Sequence, residues 1–141
     1  MTFSARRRSR PLDCRFLSTE GKIVGRVTPA FWCRWKVAIM QPALAFDGTD
    51  YVLAWQPWSG GNTHRVNPAR TNGQLPIRRI SADGKPLGAS NVRVAGGTAG
   101  QLNTLPRLAS DGKGHVLMVW EQHPTSSDGN VVAMTRLINT Q

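Results

Sequence analysis

Apolar positions fall in short runs along the chain, none longer than the five residues of Tyr51 to Trp55, and each is bounded by turn-forming residues. Tyr51-Val52-Leu53-Ala54-Trp55 and Val116-Leu117-Met118-Val119-Trp120 combine β-branched, aromatic and aliphatic residues over a length too short for a helix. Both are predicted to be buried central strands. Asp47-Gly48, Asp83-Gly84, Asp111-Gly112 and Asp128-Gly129, with Glu20-Gly21 as a variant, place a glycine where a hairpin needs positive φ and an acid beside N–H groups it can bond. These are the predicted turns between neighbouring antiparallel strands. No apolar run approaches the length of a membrane-crossing helix, so no membrane insertion is expected.

The pattern also repeats. RFLSTEGKIVG (residues 15–25) returns as RRISADGKPLG (residues 78–88), at a constant offset of 63. PALAFDGTDYVLAW (residues 42–55) returns as PRLASDGKGHVLMVW (residues 106–120), one residue longer, so that His115 is expected to take the place of Tyr51. A third start, RLINTQ, occupies residues 136–141. One period of about 63 residues then reads as a Pro-led strand, an Asp-Gly turn, a Trp-ended strand, a variable loop, a strand of the Ile77–Ile80 type, another turn, and a last strand near Asn91–Val94. The segment from Thr28 to Met40 shares nothing with its counterpart around Gly96–Gly100, and the register there is left open.

Four short antiparallel strands per tandem unit is the pattern of a propeller blade. The motif P-x-L-A-x-D-G before a Trp-ended strand, followed by R-x-[LI]-S-x-[DE]-G, resembles the repeats of large secreted or surface-exposed bacterial proteins similar to β-propellers. The resemblance covers most of residues 15–141. It implies an all-β fold of antiparallel four-stranded blade-like repeats, about two blades of a β-propeller-like architecture; the arginine run at the start of the chain is expected to make residues 1–14 a basic, disordered tail. The resemblance also implies an extracellular or cell-surface location. Two blades do not close a ring, which takes about four to eight. The expected partners are therefore further repeats or copies of the chain itself. A strand near Lys22–Val27 of one copy is placed to complete a neighbour's unit ended by Val131–Leu137.

Composition changes this picture little. The net charge of +10 comes from 14 Arg and 4 Lys against 8 acids. Arg6, Arg7, Arg8 and Arg10 cluster at the start, but no apolar stretch follows them, so no signal peptide is visible. Elsewhere the arginines are scattered, and nucleic acid is an unlikely partner beyond non-specific charge attraction. Cys14 and Cys33 show no metal-ligand spacing; whether they form a disulfide is open.

Candidate chemistry is sparse. Five of the eight acids precede glycine in predicted turns, leaving Asp13, Asp50 and Glu121. Asp50 and Glu121 occupy non-equivalent places, a poor basis for paired-carboxylate chemistry. His64, His115 and His123 lack metal-ligand spacing, and the Asp47/Asp50 pair, which could invite calcium, is better explained by a hairpin turn. No catalytic residue, metal or cofactor is expected. The long polar loop from Gln56 to Gly73 is the candidate recognition element, with Trp58, His64, Arg65 and Arg70 as ligand-binding residues. Trp58 can stack on a sugar, with the arginines bonding hydroxyls, or can pack over the end of a blade. The expected function is a non-catalytic binding or scaffold module with carbohydrate as a possible ligand. The alternatives are the remnant of a carbohydrate-active enzyme and a basic protein associating with nucleic acid.

Overall fold

The computed structural model describes residues 12–17, 20, 22–31, 37–59, 73–88, 92–95, 101–124 and 129–140. These residues form nine strands and no helix: β1 (Leu12–Leu17), β2 (Ile23–Phe31), β3 (Val37–Phe46), β4 (Tyr51–Ser59), β5 (Leu75–Ile80), β6 (Val92–Ala95), β7 (Gln101–Ser110), β8 (His115–Pro124) and β9 (Val132–Asn139). Among the described residues no helix is long and apolar enough to cross a membrane. The strands join in chain order as a β1–β2 hairpin, a four-stranded sheet β3-β4-β5-β6 and a three-stranded sheet β7-β8-β9. Every pairing is antiparallel, as the turn signals require.

Both predicted central strands are central. β4 lies between β3 and β5, and β8 lies between β7 and β9. One boundary differs from expectation. β1 begins at Leu12, inside the segment expected to be tail, because Leu12-Asp13-Cys14-Arg15-Phe16-Leu17 has the mixed polar and apolar character that a strand tolerates. One edge of β2 pairs with β1 of its own chain, Leu17 opposite Ile23. The three-stranded sheet has no fourth strand among the described residues.

The two larger sheets share one pairing register. Leu44 faces Leu53 and Phe46 faces Tyr51 across β3–β4; Leu108 faces Met118 and Ser110 faces Val116 across β7–β8. On the other side of each central strand, Tyr51 faces Ile80 and Leu53 faces Arg78, as Val116 faces Ile138 and Met118 faces Arg136. Val116, not His115, therefore holds the place of Tyr51. The extra residue lies in the turn, which spans residues 111–115 where the first spans 47–50. A turn absorbs an insertion locally, whereas an extra strand residue would move every following side chain to the opposite face.

A bulge recurs with the register. Pairing shifts between Met40 and Ala43, and again between Thr104 and Arg107. In each case a non-glycine residue in the left-handed region, Gln41 (φ 50°) or Leu105 (φ 54°), precedes a proline. Proline has no N–H for the ladder and disfavours the right-handed helical region for the residue before it.

The core lies between the two sheets. Val52, Ala54, Leu75, Ile77 and Val94 of the four-stranded sheet pack with Val116, Met118 and Trp120 of the three-stranded one, flanked by Ala45, Leu108, Met134 and Ile138. Alternation along β8 explains the selection: Val116, Met118 and Trp120 point inward, while Leu117 points away. Truncating the fully buried Met118 to alanine falls in the range of about 2–5 kcal/mol for such core deletions.

Candidate functional site

The two Asp-Gly turns meet at one end of the seam between the sheets. Asp47 starts the first turn: its N–H donates to the Asp50 carbonyl (2.9 Å), and its Oδ1 accepts the N–H groups of Thr49 (2.9 Å) and Asp50 (2.7 Å). Its carbonyl accepts the N–H of Gly114 in the second turn (2.8 Å). The Gly114 carbonyl in turn accepts both the N–H and the Oγ1 hydroxyl of Thr140, each at 2.9 Å. One chain of hydrogen bonds thus joins the first turn, the second turn and the end of β9. Contact is so close that a Cβ on Gly48, whose φ is 104°, would lie 2.1 Å from the Gly112 carbonyl oxygen.

A polar cleft of about 340 Å³ opens at this junction, lined by residues 47–49 and 112–114 together with Arg79 and Thr140. Arg79, brought from β5, pairs with Asp50 Oδ2 at 2.6 Å and lies 4.0 Å from Asp47 Oδ2. Asp47 is 2% exposed. Burial pushes its carboxyl upward, but the N–H bonds from Asp50 and Thr49, the neighbouring Thr140 hydroxyl and the Arg79 charge together hold it below the usual carboxylate range. The Thr140 proton goes to the Gly114 carbonyl, so Asp47 Oδ2 is left without a hydrogen bond, as is Arg79 Nε. Both atoms are shut off from solvent, so it is the exposed remainder of the Arg79 side chain, 40% accessible, that faces the cleft together with Lys113.

The second turn is built alike but faces solvent. Asp111 Oδ1 accepts from Lys113 N–H (2.7 Å) and His115 N–H (3.1 Å), and Oδ2 lies 2.7 Å from His115 Nδ1. Those bonds, the backbone N–H of Lys113 first and the His115 side chain next, lower Asp111 from 3.8 to about 2. At the opposite end of the seam, Asn103 is 1% exposed and links the sheets. Its Nδ2 donates to the Gly73 carbonyl (2.7 Å), while its Oδ1 accepts from Trp120 Nε1 (2.8 Å) and Gln122 Nε2 (3.2 Å).

Of the residues expected to bind ligand, Trp58 lies at the end of β4, its backbone opposite Ala38. His64, Arg65 and Arg70 lie outside the described residues, as does Cys33. The spare carboxylates serve separate local pairs, Asp50 with Arg79 and Glu121 with His123 (3.0 Å). Among the described residues, no three His, Cys, Asp or Glu side chains gather into a cation site. Sequence reasoning noticed Asp47 and Asp50 but not the cleft, since Arg79 and Thr140 join them only through folding. No family model, curated protein or solved structure matches the chain.

Proposed function

We propose that the chain is a non-catalytic scaffold and binding module of propeller-like repeats, working outside the cell, with a carbohydrate as its ligand in the cleft between the two Asp-Gly turns. The observation that carries the reading is the polar cleft itself, to which Arg79, its side chain 40% exposed, and Lys113 bring hydrogen-bond donors. Hydroxyl groups both donate and accept, so those of a sugar ring in the cleft can accept from the exposed N–H groups of the Arg79 guanidinium. Lys113 adds a further donor at the rim. The shared register of the two sheets supports the scaffold half of the reading, because the residues that recur are those that pair, turn and pack.

A glycan array probed with the purified chain tests the ligand, followed by amide chemical-shift mapping with the strongest hit. Shifts centred on Thr49, Gly112 and Gly114 are expected. An array without hits, or a hit that shifts only other amides, removes the carbohydrate reading of this cleft. Release of a new reducing end from the bound glycan would overturn the non-catalytic part.

A further inference from the structure

We propose that copies of this chain join by strand exchange, β9 of one copy pairing with β2 of the next in the place that β1 holds. In the four-stranded sheet the strand beyond the central one, β5, is covered at its far edge by β6. β9 holds the same place beside β8, with Ile138 standing for Ile80 and Arg136 for Arg78. Among the described residues, however, no strand pairs with its far edge. Every residue of β9 is exposed or half-buried, so that edge is open.

The occupant follows from a second pairing with the same register. Leu17 faces Ile23 across β1–β2 as Ile80 faces Pro86 one repeat further on. Pairing then shifts between Leu12 and Asp13 as it does between Leu75 and Pro76. β1–β2 therefore repeats the β5–β6 pair, and β2 is a strand of the type that covers β5. The sequence of β9 matches β1: RLINTQ at residues 136–141 aligns with RFLSTE at residues 15–20, which again puts Ile138 at the place of Leu17. β9 and β1 thus compete for one partner. In the exchanged pair Thr135 stands opposite Thr28 and Ile138 opposite Ile23, while Met134 takes the place of Asp13 opposite Pro29.

Exchange favours β9 because of the sheet each pair belongs to. β1 and β2 form a two-stranded sheet by themselves, and an isolated hairpin is marginal in water. Pairing with β9 makes β2 the fourth strand of a sheet that packs a core through Val116, Met118 and Trp120. It also pairs the edge that a strand as long as β9 otherwise offers to any extended segment. The contact is head-to-tail, the arrangement that generates rings or filaments. It rests on the repeat reading of the proposed function and uses nothing about its ligand.

Two measurements on the full chain test it, in about 0.3 M salt to screen the +10 charge. Thr28→Cys/Thr135→Cys, in a background carrying Cys14→Ser and Cys33→Ser, is treated with a short bismaleimide. Linked dimers and larger species are expected on a denaturing gel, and none from the control pair Thr28→Cys/Lys85→Cys in the same background. Sedimentation velocity up to about 300 µM is expected to show a mass above the monomer. Replacing residues 12–17 by glycine and serine removes the competing strand and should tighten association at least about tenfold. Should that variant fail to fold by circular dichroism, the cross-links decide alone. A chain that stays monomeric overturns the proposal, as do cross-links formed only within one chain or equally by the control pair, and association that the β1 replacement leaves unchanged or weakens. Glycan binding by a monomer would leave the cleft reading standing while this one falls.

Discussion

Gln41 and Leu105 stand 64 positions apart and touch: the Gln41 Oε1 accepts the Leu105 backbone N–H at 3.2 Å, and both residues hold left-handed backbone. Each makes the bulge before a proline, so the two bulges are stacked from sheet to sheet. Left-handed backbone costs a residue with a Cβ roughly 1–2 kcal/mol.

The first prediction tests that strain. Leu105→Gly keeps the bulge without the Cβ penalty, and Leu105→Ala keeps the penalty after losing the same side chain. The glycine variant is expected to be more stable than the alanine variant by about 1 kcal/mol in chemical denaturation. Equal stabilities, or a more stable alanine variant, would contradict a strained bulge.

Gly48 and Gly112 provide a second comparison. Both have positive φ, but a Cβ on Gly48 meets the Gly112 carbonyl at 2.1 Å, while one on Gly112 meets nothing within 4 Å. Gly112→Ala is expected to cost about 1–2 kcal/mol, the backbone term alone. Gly48→Ala should cost clearly more and lower the thermal midpoint further, because the two turns must separate.

Asn103 satisfies a donor and an acceptor that would otherwise be stranded in the seam. Asn103→Leu leaves the Trp120 Nε1–H and the Gly73 carbonyl without this partner. An uncompensated buried polar group costs about 1–3 kcal/mol. Guanidinium unfolding followed by tryptophan fluorescence is expected to show at least that loss, with the denaturant slope unchanged.

Acid stability depends in part on two of the turn aspartates, Asp47 and Asp111. Both carboxyls are lowered on folding, so each contributes stability that is complete above the unfolded value of 3.8 and is lost as pH falls through the folded value. For Asp111 the window runs from 3.8 down to about 2. Thermal midpoints measured from pH 7 to about pH 2 should fall steeply below about pH 4. In Asp111→Asn the midpoint should be lower at neutral pH and the acid limb shallower. An acid limb unchanged in that variant would remove Asp111 from the account.

Much of the strand order was legible in the sequence. The runs Tyr51–Trp55 and Val116–Trp120 became central strands because β-branched and aromatic residues between glycine turns have few other local options. Asp47-Gly48 and Asp111-Gly112 became hairpin turns because their glycines accept positive φ. The site was less legible. Trp58, His64, Arg65 and Arg70 were singled out for residue type in a long loop, a signal that says nothing about what surrounds a side chain.

The placement of His115 shows the limit of pattern alone. Counting residues from Asp111 puts it beside Tyr51, whereas the hydrogen-bond ladder puts Val116 there, since the turn absorbs the extra residue. Local sequence determined the all-β character, the turns and which strands are central, because these depend on φ preferences and short-range periodicity. Only the tertiary structure decided that Asp47, Arg79 and Thr140 share a cleft, and that Val52 is covered while Leu117 is open. Those outcomes depend on which sheet packs on which face, and no local preference encodes contacts between residues dozens of positions apart.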